Sequence, residues 1–131
     1  MRVLLDTHAL LWGLNDDPRL ESKARNLISD PLNDILVSIV SLWEIVLKTR
    51  IGKLDAGIQD IVAEIDVLGF EMLDIRPEHL KALQDLPMHH RDPFDHLLIA
   101  QAIAEGVTFL SADRRTSAYP VTHVHCRNNY Q

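Results

Sequence analysis

The sequence has a single cysteine, Cys126. One thiol excludes an internal disulfide and fits a reducing compartment, so a cytoplasmic protein is expected. No apolar run approaches the roughly 18 residues of a membrane-spanning helix, which argues against a membrane protein. A secretory signal is not expected either, because Asp6 interrupts the opening apolar stretch. There is no excess of positive charge: the formal net charge is -6. Nucleic-acid proteins usually show a basic surface, although carboxylates gathered round metal ions would count in that sum. Repeats and low-complexity segments are absent. What remains, 47% hydrophobic and 24% charged residues over 131 positions, is ordinary for one globular domain, 1–131, with a real core.

Short β-rich runs alternate with helical patterns. Residues 2–5 (RVLL), 34–39 (DILVSI), 70–75 (FEMLDI), 107–110 (VTFL) and 121–125 (VTHVH) read as strands. Helices are expected over 8–14, near 19–29, from Ser41 to Thr49, over 57–68, from Pro77 to about Leu86, from Pro93 to Glu105 with Gly106 as its stop, and briefly over 113–118. Such alternation predicts an α/β fold with a parallel sheet covered on both faces. Ligands of these sheets gather at the carboxyl edge of the strands, where the following helices begin.

Four acids fall at that edge. Asp6 follows the first strand, Glu44 opens the helix after the second, Asp95 lies in the first turn of the Pro93 helix, and Asp113 follows strand 107–110. Each has a structural explanation as well. Ser41 and Glu44 have capping-box spacing, Asp92-Pro93 is a strong cap, Asp95 suits a helix N-terminus, and Asp113 precedes a short helix. As a set they are harder to explain by capping. Carboxylates converging without basic partners would repel one another, and a hard divalent cation such as Mg²⁺ or Mn²⁺ resolves that repulsion with oxygen ligands.

The stretches "LLDTHALLW" (4–12), "VSIVSLWEIVLK" (37–48), "RDPFDHLLIAQA" (91–102) and "FLSADRR" (109–115) resemble, in their order, the PIN-domain ribonucleases, and among them the VapC-type toxins of bacterial toxin–antitoxin pairs. The resemblance implies a three-layer α/β/α PIN-like fold with a central parallel sheet and Mg²⁺- or Mn²⁺-dependent endonuclease action on RNA. It carries the family's acidic quartet onto Asp6, Glu44, Asp95 and Asp113, with Thr7 and Ser111 as hydroxyl positions beside it; Asp92 is read from the residues themselves, as a helix cap that supports the site. It further implies a cognate antitoxin, with a basic segment entering the acidic cleft, and a homodimer. Two positions depart from the family's habit: Ser111 stands where threonine is frequent, and His96 where arginine is common.

The chemistry expected is metal-assisted phosphodiester hydrolysis with the four acids as ligands. Lys48, Arg50, Arg91, Arg114 and Arg115 are placed near the edge, either to hold the phosphate backbone or as solvated helix ends. Trp43, Leu47 and Ile51 are apolar positions for antitoxin contact or for the core.

Two other functions compete. Seven histidines allow a zinc-dependent hydrolase in which His89-His90 join Asp92 and Asp95; His123 and His125, two apart on a strand, are compatible with a metal or with a plain surface. Alternatively, a catalytically silent module uses the acidic cleft only to receive a basic partner. Other carboxyl-edge chemistries lack their residues. "DTHALL" has no glycine for a dinucleotide and no second acid two residues after Asp6 for a phosphoaspartyl enzyme, and the last strand is followed by no lysine for a receiver domain.

Overall fold

The computed structural model describes residues 1–128. Its strands are β1 (Arg2–Leu5), β2 (Asp34–Ser38), β3 (Glu71–Leu73), β4 (Thr108–Ser111) and β5 (His123–His125). They form one sheet in the order β3-β2-β1-β4-β5, parallel throughout. The helices are α1 (Thr7–Leu14), α2 (Ser22–Ser29), α3 (Ile39–Arg50), α4 (Ile58–Leu68), α5 (Pro77–Gln84) and α6 (Pro93–Glu105), with a 3-10 turn at Arg114–Ala118.

Side chains alternate along the strands into two cores. Val3, Leu5, Ile35, Val37 and Leu110 face a layer made of Leu10 and Trp12 of α1, Ala24 of α2, Leu42 and Ile45 of α3, and Ile61 and Ile65 of α4. Leu4, Leu36, Leu73 and Phe109 face Leu98, Ile99 and Ala102 of α6, with Tyr119 and Leu83 beside them. This is the three-layer α/β/α arrangement expected. Burial on both faces is why the central strands read as unbroken apolar runs.

α6 keeps the boundaries read from its sequence: Asp92 caps it, Pro93 opens it, and Gly106 closes it in the left-handed conformation at φ 66°. α3 does not. It begins at Ile39, directly after β2, and Ser38 is its cap, with Oγ accepting the Val40 amide at 3.0 Å. Ser38 also donates to Gln101 Oε1 at 2.6 Å, tying β2 to α6 through the core. The expected Ser41–Glu44 capping box is therefore not formed, and Glu44 lies in the second turn rather than the first.

Candidate functional site

Parallel strands bring their last residues to one edge, and Asp6 stands at its centre. Its backbone amide donates to the Leu110 carbonyl at 2.9 Å, continuing the β1–β4 pairing. Its side chain then turns back as the cap of α1: Oδ1 accepts from the Ala9 amide at 2.7 Å, and Oδ2 from the Ala112 amide at 2.9 Å. A carboxylate held by two amides has a fixed orientation. Burial raises its pKa, while the two amides and nearby His8 oppose that rise.

Glu44 reaches the same edge from α3 and is 3% exposed. Thr7 Oγ1 donates to its Oε1 at 2.6 Å, and Lys48 Nζ to its Oε2 at 2.6 Å. Thr7 Oγ1 also lies 3.1 Å from Ser41 Oγ, so Ser41 serves this contact in place of the capping role. Hydrogen bonding to Glu44 raises the Lys48 pKa.

Asp95, at the third residue of α6, behaves differently. Its carboxyl group is pushed up to about 8, first by burial, then by the charges of Asp92, Asp6, Glu44 and Asp113. The charges of Asp92 and of the other three acids thus all bear on Asp95. Asp92 remains a cap, its Oδ1 accepting the Phe94 and Asp95 amides at 3.0 and 3.2 Å. Asp113 caps the 3-10 turn through the Arg115 amide. Arg115 grips its carboxylate with Nε and Nη2 at 3.0 and 2.7 Å, and that contact holds its pKa below the usual range. Ser111 supports the turn from beneath, its Oγ accepting the Asp113 amide at 3.0 Å.

The acids therefore converge as expected, but not bare. Lys48 pairs with Glu44 and Arg115 with Asp113, so two of the five cations read as phosphate contacts are engaged within the cluster. The Glu44–Lys48 spacing of four residues on a helix is a legible pairing; the contact from Asp113 to Arg115 follows from a tight turn that the sequence does not announce. Arg50 ends α3 roughly 9 Å beyond Glu44 at 1.5 Å per residue, on the side away from the edge. Arg91 is exposed. A cleft beside the acids is lined by His8, Trp12, Asp92, Asp95, Arg114 and Arg127, among others.

The histidines part company. His89 stacks edge-on against Tyr119 at 4.9 Å. His90 also packs edge-on against Tyr119, at 5.4 Å, but its ring is buried and brings Nε2 to 3.5 Å from Asp95 Oδ2. The adjacent pair does not face one metal together. His96 is buried, with Nε2 donating to the His90 carbonyl at 2.6 Å, so it faces inward rather than toward a partner. Trp43 and Ile51 are 52% and 65% exposed, which removes them from the core; Trp43 packs edge-on against Phe94 at 5.0 Å.

The PIN domain family model matches residues 3–121. Several solved structures share the fold at low identity. VapBC2 from Rickettsia felis, bound to a DNA fragment from its promoter, matches with a TM-score of 0.73 at 17% identity, covering 96% of this chain and 99% of that one. FitAcB from Neisseria gonorrhoeae matches at 0.65 and 16% identity, covering 94% and 96%. VapBC-5 from Mycobacterium tuberculosis, of the VapBC family of toxin–antitoxin systems, matches at 0.57 and 18% identity, covering 97% and 98%. No curated protein sequence matches the chain significantly.

Proposed function

The chain belongs to the PIN-domain family, and we propose that it is the toxin of a toxin–antitoxin pair, a divalent-metal-dependent endoribonuclease silenced by a cognate antitoxin. The observation that supports this most is the meeting of Asp6, Glu44, Asp95 and Asp113, brought from four segments to one sheet edge, with Asp95 raised to about 8 by the others and by burial. Ordinary folding gains nothing from such crowding. The donor set is all carboxylate oxygen, which fits a hard dication of the Mg²⁺ or Mn²⁺ class.

In this reading Asp6, Glu44, Asp95 and Asp113 hold the ion. When bound, the ion supplies a water of lowered pKa and stabilises negative charge at the scissile phosphate. The chain's own residues fix the acids. The Ala9 and Ala112 amides orient Asp6, Thr7 orients Glu44, and Ser111 holds the turn that presents Asp113. Asp92 keeps the start of α6, and hence Asp95, in place. Lys48 and Arg115 balance charge in the resting cluster and stand ready to pair with phosphate instead. Arg91, exposed beside them, and Arg114 extend a basic rim for the RNA backbone.

Support for an antitoxin comes from the similar VapBC structures and from the acidic cleft, which suits a basic inhibitory segment. Exposed Ile39 and Trp43 on α3 and Ile51 just past its end give a second copy or the antitoxin an apolar surface. We read the chain as a single domain acting in the cytoplasm. The test is incubation of antitoxin-free protein with tRNA, rRNA and mRNA, with and without Mn²⁺, beside Asp6→Asn. Cleavage that needs the metal and is lost in the variant supports the proposal; no cleavage, or cleavage equal in both proteins, contradicts it.

A further inference from the structure

Tyr119 closes the 3-10 turn that carries Arg115, and its buried side chain meets the loop at His89 and His90. The His89 and His90 amides donate to its hydroxyl at 2.9 and 3.2 Å, and His90 Nδ1 lies 2.8 Å away. Backbone amides can only donate, so the two of them occupy both lone pairs of the hydroxyl oxygen. The hydroxyl proton therefore goes to Nδ1, which presents a lone pair. The single proton of the His90 ring is then on Nε2.

That N–H is buried and aimed at the acids. His90 is 6% exposed, and its Nε2 makes no hydrogen bond among the described residues. The acceptor in front of it is Asp95 Oδ2, at 3.5 Å. An unmet buried donor is costly, and a small turn of the carboxyl group would bring the pair to the usual separation of about 2.9 Å. His90 is also fixed from behind. His96 Nε2 donates to its carbonyl at 2.6 Å, and the His96 and Tyr119 rings pack edge-on against its own at 4.8 and 5.4 Å.

Each of the other three acids has a fixed donor. The Ala9 and Ala112 amides hold Asp6, Thr7 and Lys48 hold Glu44, and Arg115 holds Asp113. His90 occupies the corresponding place beside Asp95. We propose that His90 is the positioning residue of Asp95: Tyr119 sets its tautomer, and its Nε2–H donates to Oδ2 of the ionised carboxylate, orienting it for the cation. This deepens, and rests on, the reading that the acids bind a divalent ion. An ionised carboxylate accepts more strongly than a neutral one, so the bond is strongest in the state that binds. Partners that orient a ligand in this way are worth about 10- to 100-fold in metal affinity.

Long-range ¹H–¹⁵N correlation spectra of the wild-type chain, with its histidines ¹⁵N-labelled, read which ring nitrogen bears the proton. His90 is expected to show a protonated Nε2 and a bare Nδ1. A proton on Nδ1, or on both nitrogens, overturns the proposal. Calorimetric titration with Mn²⁺ then separates positioning from a purely structural role, with circular dichroism confirming each fold. H90L is expected to bind Mn²⁺ about tenfold more weakly, whereas H90Q, whose amide keeps a donor at similar reach, recovers most of the affinity. Y119F leaves His90 in place but releases its tautomer, and is expected to weaken Mn²⁺ binding too; it carries the test if H90L does not fold. Wild-type affinity in folded H90L or Y119F, or equal losses in H90L and H90Q, overturns the proposal and leaves the acidic centre standing. Failure of the wild type to bind Mn²⁺ overturns both this and the reading beneath it.

Discussion

Thr7 Oγ1 donates to Glu44 Oε1 at 2.6 Å, joining the first residue of α1 to the second turn of α3 across the end of the sheet. Both residues are buried. The contact shows how two acids distant in sequence are held together, because Asp6 precedes Thr7 directly and its own cap bonds fix where Thr7 points. Replacing Thr7 with Val keeps the shape and removes the donor. A buried hydrogen bond to a charged group is worth about 2 kcal/mol. Thr7→Val is expected to lose that much in urea denaturation, while Thr7→Ser stays near wild type.

Asp95 gives a prediction of opposite sign. Its folded pKa of about 8 lies above the roughly 3.9 of an unfolded aspartate. The native state therefore holds the proton more tightly, and the resulting stabilisation is complete below about pH 4 and lost as pH rises through about 8. Asp95→Asn removes the titration and the repulsion. Without metal, its melting temperature should match or exceed wild type at pH 8, with a smaller margin at pH 5. A large fall at pH 8 would mean that its position at the helix N-terminus outweighs the crowding.

For Asp113 the shift runs downward, held there chiefly by the Arg115 side chain. Stability from that depression is present above the unfolded pKa and fades as pH falls through the folded one. Arg115→Ala is expected to move the Asp113 titration upward in carbon-detected NMR. Because Arg115 is exposed, little global stability should change. An unmoved titration would show that the turn amides, not the guanidinium, set the charge.

These contacts also mark what the sequence could and could not disclose. The ends of α6 were legible because Asp92-Pro93 and Gly106 act through local backbone chemistry alone. The start of α3 was not. Ser38 and Ser41 are equally good caps by type, and only the approach of Gln101 and Thr7 decides between them. The inward turn of His96 was not legible because residues 96–102 of α6 are all buried; a helix enclosed on every side has no polar face to betray its direction. The four acids could be placed at one edge from the sequence because a parallel sheet collects its strand ends there whatever their separation, whereas Lys48 and Arg115 as their partners required side-chain positions.

Ser38 can be tested in the same terms. Ser38→Ala removes the α3 cap and leaves Gln101 Oε1 without its buried donor. The expected loss is about 2 kcal/mol in chemical denaturation. A loss near zero would show that Gln101 finds another donor in the core.

The central claim is that the carboxylates at this edge bind a divalent cation. Calorimetric titration of Mn²⁺ into metal-free protein tests it most directly, with Asp6→Asn as the comparison and circular dichroism confirming its fold. Saturable binding to the wild type that is lost or much weakened in the variant is the result expected. Equal binding in the two proteins, or none in the wild type, would contradict it.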